Sequence, residues 1–176
     1  MITCNGKSFT PFITNKTIQD RLKTLADQIN QDYEDKCPLF LGVLNGCFRL
    51  TGDLFNYIEV ESEISFVKLK SYVGTESSGN VTTMIGLNED LKGRHLVIVE
   101  DTVDTGRTMF QFLQELEKME PASVSIMTLL TKPDALEYDM ELKYIGFEVP
   151  NLFLIGYGLD YDGLGRHYND IYQIIE

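Results

Sequence analysis

Cysteine and histidine are scarce in this 176-residue chain: Cys4, Cys37 and Cys47 are widely spaced, no CxxC pair occurs, and His95 and His167 are the only histidines. Neither a disulfide framework nor a zinc site is indicated, and the three thiols are expected to be buried as small hydrophobes. Long apolar runs are also missing, and none approaches the roughly 18 residues a membrane-spanning helix needs. The opening MITCNGKSFTPFI has no basic stretch followed by an apolar core, so no secretory signal is read there and a cytoplasmic location is expected. Basic charge is short as well. Against 27 Asp and Glu stand 15 Lys and Arg, giving a formal charge of −12, and no Lys/Arg run forms a stripe that would hold a nucleic-acid backbone. Nucleic acid and membrane are therefore excluded as expected partners. A small anion is not, because backbone amides and a bound cation can hold one against an unfavourable global field.

What is present is a chain with 43% hydrophobic residues, enough for a core without staples. Ile18, Leu22, Leu25 and Ile29 recur at helical spacing, and Leu50, Leu54 and Ile58 predict a second helix. PLFLGVL between them is short and continuously apolar, as in a strand buried on both faces. EISFVKLKSY at 63–72 predicts a strand that stops at VGTESSGNV, whose composition predicts a mobile loop. LVIV at 96–99 is the clearest buried strand, followed by a helix with Met109, Phe112, Leu113 and Leu116 on one face, then by the strand ASVSIMTLL. YIGFEV and LFLIGY close the pattern. With no repeat or linker, the expectation is one α/β domain over residues 1–176 with a mostly parallel central sheet.

The segment LVIVEDTVDTGRTM carries the chemistry. A buried strand leads to carboxylates, and a Thr-Gly turn opens a helix. In an open parallel sheet, ligands collect beyond the carboxyl ends of the strands, where a helix start offers unpaired N–H groups to a phosphate. Thr105, Gly106, Arg107 and Thr108 are placed to wrap that phosphate. Glu100 and Asp101 repel it and suit groups that donate, such as sugar hydroxyls, or a cation. Phosphate with vicinal hydroxyls describes a phosphorylated ribose; the plainer alternative is an acidic helix cap.

Glu100 to Thr108 resembles the phosphoribosyl pyrophosphate signature of type I phosphoribosyltransferases, in the version found in hypoxanthine-guanine phosphoribosyltransferases. LNGC at 44–47, LKSY at 69–72, TLLTK at 128–132 and FLIGYGLDY at 153–161 match in the same order, so the resemblance spans nearly the whole chain. It implies a type I phosphoribosyltransferase-like fold: a mostly parallel central sheet flanked by helices, a small hood formed by the chain ends, and a mobile flap loop. It also implies transfer of the 5-phosphoribosyl group from phosphoribosyl pyrophosphate to N9 of hypoxanthine or guanine, with Mg²⁺, by a homodimer or homotetramer.

Residue by residue, the resemblance implies that Glu100 and Asp101 hold the ribose hydroxyls and bear on Mg²⁺, and that Thr105 to Thr108 cradle the 5′-phosphate. Asp104 becomes the general base for purine N7, and Lys132 donates to the exocyclic O6 of a 6-oxopurine. Phe153 stacks on the base and Leu154 offers its backbone, with plain core packing as the alternative for both. Asp160 bears on Mg²⁺ or is a turn carboxylate, and Arg166 lies near pyrophosphate. Leu44, Asn45 and Gly46 contact pyrophosphate through backbone amides, often across a non-proline cis peptide in this family. Ser71 and Tyr72 belong to the flap. Two departures are visible: Asn45 replaces a Lys of the human-like form, and Arg107 replaces a frequent Lys. A regulator that keeps this fold to sense a nucleotide is the rival of a different class; the acidic charge and the retained Asp104 count against it.

Overall fold

The computed structural model describes residues 1–72 and 81–175. The loop expected to be mobile at 73–81 falls almost wholly outside them, and of the expected flap residues Ser71 and Tyr72 only the backbone is described. In chain order the elements are β1 (Ile2–Cys4), β2 (Lys7–Ile13), α1 (Asn15–Asp32), β3 (Leu39–Leu44), α2 (Phe48–Phe55), β4 (Glu63–Tyr72), β5 (Val81–Ile85), β6 (His95–Val103), α3 (Arg107–Glu117), β7 (Ser123–Thr131), β8 (Tyr144–Glu148), β9 (Leu154–Ile155) and β10 (Ile171–Ile174).

Five parallel strands in the order β4, β3, β6, β7, β8 make the main sheet, with β5 added antiparallel to β4 at one edge. Strand alternation sorts β6 between two cores. Val97 and Val99 face the side covered by α1 and α2, with Ile18, Leu22 and Leu50; Leu96 and Ile98 face the side covered by α3, with Met109 and Phe112. This double covering explains why β3 and β6 read as continuous apolar runs. Helix α1 starts at Thr14, whose hydroxyl accepts from the Thr17 amide at 3.2 Å.

The chain ends form a second, antiparallel sheet in the order β1, β2, β10, β9, with its own small core of Cys4, Phe9 and Ile155. This is the expected hood. It is fastened to the main body by Arg49, which donates to the Tyr168 carbonyl and to Asn169 Oδ1 and lies over the Tyr157 ring, and by Tyr157, which donates to Asp53 at 2.6 Å.

Three expectations need correction. Ile58 lies beyond α2, which ends at Phe55, because the chain turns at Asn56; Ile58 packs against the core from the following bend instead. The strand read at 96–99 runs on to Val103, since β7 keeps pairing with it at Thr102 and Val103. Cys37 is exposed, in the turn between α1 and β3 with φ 43°, whereas Cys4 and Cys47 are buried as expected.

Candidate active site at the carboxyl ends of the parallel strands

Because β6 extends to Val103, it delivers Glu100, Thr102 and, one residue past its end, Asp104 to the carboxyl edge of the sheet. The turn that follows is fixed by Gly106. Its φ is 82°, and a Cβ there would sit 2.7 Å from Met140 Cε and 2.9 Å from Leu136 Cδ1. Among the described residues only one long contact caps the start of α3, from the Arg107 amide to Thr105 Oγ1 at 3.4 Å. Its first amides therefore border a hollow of about 130 Å³ lined by Glu100, Thr102, Asp104, Thr105, Arg107 and Thr108. That is the anion-binding geometry expected of a helix start. The Arg107 guanidinium points elsewhere: its Nε donates to the Tyr138 hydroxyl at 3.1 Å, so this residue offers the hollow its backbone.

A second hollow of about 200 Å³ adjoins the first and shares Thr102 and Asp104 with it. Its remaining walls include Leu130, Lys132, Phe153 and Leu154. Lys132 is no solvated charge. Its side chain is 12% exposed, and its ammonium lies 2.9 Å from Asp104 Oδ2 and 3.3 Å from Asn151 Oδ1. Phe153 is 44% exposed, with its ring held edge-on by Tyr161 at 5.3 Å; it is a wall of the hollow and not a core residue. Leu154 is buried and is both core and wall.

On the opposite face of β6, Asp101 meets the loop after β3. The Leu44–Asn45 peptide is cis, and Gly46 approaches Asp101 so closely that a Cβ at Gly46 would fall inside the carboxylate. Gly158 of the hood in turn rests on the Gly46 carbonyl, where again no Cβ fits. Asn45 is exposed at the tip of this loop. Cys47, next along, is buried, and burial with the neighbouring carboxylates Glu100 and Asp101 pushes its thiol up to about 12. It is a packing residue with no nucleophilic character. Burial also raises the Glu100 carboxyl well above the usual carboxylate range, with Asp101 adding to the effect.

Asp160 and Arg166 are brought together in the hood. Arg166 Nη2 lies 2.7 Å from Asp160 Oδ1, its Nη1 donates to the Gly158 carbonyl at 2.6 Å, and the Gly163 amide donates to Asp160 Oδ2 at 2.6 Å. Here Asp160 acts as the turn carboxylate. Among the described residues no group of three or more His, Cys, Asp or Glu side chains is placed to hold a metal. Glu100 and Asp101 are an adjacent oxygen-donor pair whose repulsion a cation would relieve. That fits a hard ion that takes one or two carboxylates and draws its other ligands from substrate and water, as Mg²⁺ does.

Thr102, Tyr138, Asn151 and Gly158 were not singled out from the sequence. A lone hydroxyl between Asp101 and Asp104 was a signal for Thr102. The other three are brought in by folding from distant segments. The roomiest hollow among those described, about 530 Å³ between α3 and residues 139–141, reaches Ser123 and Val124 at the opposite end of β7. It lies away from the strand ends where ligands gather, so the two smaller hollows are the candidate site.

Residues 13–162 match the phosphoribosyl transferase domain family. A hypoxanthine-guanine-xanthine phosphoribosyltransferase of Tritrichomonas foetus is 39% identical over 151 residues, which cover 85% of this chain and 82% of that protein. A hypoxanthine-guanine phosphoribosyltransferase of Mycobacterium tuberculosis is 38% identical over 169 residues, 92% of this chain and 82% of that one. The crystal structure of a hypoxanthine phosphoribosyltransferase from Staphylococcus aureus superposes with a TM-score of 0.88 at 33% identity, covering 94% of this chain and 91% of that chain.

Proposed function

The chain belongs to the phosphoribosyltransferase family, and from that premise we propose that it is the purine salvage enzyme that joins hypoxanthine or guanine to phosphoribosyl pyrophosphate. The products are IMP or GMP and pyrophosphate. One observation carries the reading: a hollow at a helix start and an aromatic-walled hollow adjoin and share Asp104, with the Lys132 ammonium 2.9 Å from its carboxylate.

In this reading the 5′-phosphate takes the amides and hydroxyls of Thr105 to Thr108, and Glu100 and Asp101 accept from the ribose hydroxyls. The purine lies against Phe153 with the Leu154 backbone at its edge, and Lys132 donates to O6. As N9 attacks the anomeric carbon, the bond to pyrophosphate breaks and Asp104 takes the proton from N7. An amino group at the 6-position cannot accept from Lys132, which disfavours adenine. Backbone amides of Leu44 to Gly46 and the Arg166 side chain serve the leaving pyrophosphate, the latter by releasing Asp160. Ser71 and Tyr72 are assigned to a flap that excludes water. Mg²⁺ is the cofactor proposed: Glu100 and Asp101 would hold it, Asp160 would bear on Mg²⁺ separately once freed from Arg166, and the bound cation would offset the charge of the leaving group.

Residues 1–176 are proposed to act as one unit, because hood and main sheet each contribute walls to the same hollow. No helix among the described residues is long and apolar enough to cross a membrane. Three free cysteines support work in the reducing cytoplasm, and the charge of −12 argues against a nucleic-acid partner. A homodimer or homotetramer is proposed from the resemblance.

The deciding assay is pyrophosphate release from phosphoribosyl pyrophosphate with hypoxanthine, guanine, xanthine and adenine in turn, each with Mg²⁺ and with chelator. Mg²⁺-dependent release is expected with hypoxanthine and guanine and none with adenine, and the same plate reads xanthine. Silence with all four bases would leave a phosphoribosyl binder and bring forward the regulator.

A further inference from the structure

Among the described residues, the one buried side-chain polar atom without a hydrogen-bond partner is Thr102 Oγ1. A buried unpartnered hydroxyl is unfavourable, and one in a native structure calls for a reason. Its place supplies one. Thr102 follows Glu100 by two residues on β6, so both point to the same face, and it borders both hollows together with Asp104. The residue is partly exposed although its hydroxyl is not, so its other atoms form the wall. A turn about χ1 would exchange hydroxyl and methyl and carry Oγ1 toward the hollow.

The second hollow is otherwise walled by apolar side chains such as Leu130, Leu152 and Phe153, apart from Asp104 and Lys132. Those two hold each other at 2.9 Å. Thr102 therefore carries the one side-chain hydrogen-bonding group of that hollow that has no partner in the free protein. We infer that Thr102 is a base-binding residue whose hydroxyl turns into the hollow and hydrogen-bonds the bound purine. This rests on the proposed phosphoribosyl transfer. The bond is made only in the complex, so the hydroxyl that is unpartnered in the free protein favours the bound state.

The test compares Thr102→Val, which keeps the shape and removes the hydroxyl, with Thr102→Ser, which restores it. Steady-state kinetics are measured separately in hypoxanthine, guanine and phosphoribosyl pyrophosphate, with thermal midpoints of the free proteins. Thr102→Val is expected to raise KM for the base about tenfold, the scale of one neutral hydrogen bond, with KM for phosphoribosyl pyrophosphate unmoved. Thr102→Ser should recover most of that loss, and the free valine variant should melt no lower than the parent. An unchanged base KM, or a rise in the phosphoribosyl pyrophosphate KM alone, would overturn the assignment. So would a clear drop in the free valine variant's midpoint, since it would reveal an internal partner for the hydroxyl. Parent protein inactive with every base would instead remove the proposed function, and this inference with it.

Discussion

Asp104 and Lys132 meet at 2.9 Å between the two hollows, with the Lys132 stem largely covered and Asp104 half exposed. On the proposed reading, a purine entering the second hollow divides this pair, drawing the ammonium to its O6 and presenting N7 to the carboxylate. The ion pair thus holds both groups in position before substrate arrives. Asp104→Asn keeps the shape and removes the proposed base. It should bind phosphoribosyl pyrophosphate as the parent does but lower turnover about 10²–10⁴-fold, checked by calorimetry beside kcat. Lys132→Met removes the donor while keeping the stem. Its kcat/KM for hypoxanthine should fall about 10²-fold or more with that for adenine unimproved, the scale of a lost charged hydrogen bond in a covered site. Equal kcat/KM for hypoxanthine in variant and parent would remove Lys132 from base recognition. Both residues were singled out through the family resemblance, which matches Asp104 between a strand and a helix start and Lys132 just past a strand. Their direct pairing was not, because 28 positions separate them.

The turn joining β6 to α3 works as an element because a separate segment clasps it. The Glu137 amide donates to the Thr105 carbonyl at 2.9 Å, Tyr138 receives Arg107 and lies 5.1 Å from the Phe110 ring, and Leu136 and Met140 close over Gly106. Gly106→Ala would place a Cβ in that clasp and hold an L-residue at φ 82°. The conformational term alone costs about 1–2 kcal/mol, and the two side chains must also shift. A thermal midpoint lower by a few degrees is expected. KM for phosphoribosyl pyrophosphate should rise by a larger factor than KM for the base, because the turn proposed to hold its 5′-phosphate moves first. The glycine's purpose was readable from its place before a helix. Its cover was not, because residues 136–140 have no periodic pattern that would assign them a neighbour.

At the scale of the whole molecule, helix α1 is tied to one edge of the main sheet by polar groups at some distance from the chemistry. Asp32, at the end of α1, lies 2.7 Å from Lys143 Nζ and accepts from the Tyr144 hydroxyl at 2.6 Å, joining the helix to the edge strand β8. Hydrogen bonding from Lys143, then from Tyr144, holds the Asp32 carboxyl below its ordinary value of 3.8. The stabilisation from such a depressed acid is fully present above about that value and is lost as pH falls through the lower folded value. Asp32→Asn should therefore melt below the parent at pH 7, by a small margin because the pair is partly solvated, and the difference should close as pH is lowered past 3.8. Thermal midpoints of both proteins from pH 7 to pH 2.5 provide the check; a difference that persists to the acid end would assign the effect to packing.

The amino-acid sequence alone determined the α/β class, the apolar strands β3 and β6, and the segment Glu100 to Thr108, because burial periodicity and helix-start chemistry are local properties. It also indicated the hood, through resemblance and not through any pattern of its own, as its strands β1, β9 and β10 are two to four residues long. Tertiary structure alone decided the rest. Phe153 could be core or wall until the hood was placed, and its exposure beside Asp104 and Lys132 settled which. Asp160 and Arg166 proved to be each other's partners, since the tight turns at Gly163 and Gly165 fold the segment back on itself. Gly158 owes its identity to the Gly46 backbone that it meets across more than a hundred residues, and Gly46 owes its own to the Asp101 carboxylate. Such contacts depend on three-dimensional proximity, and no local stretch of sequence encodes them.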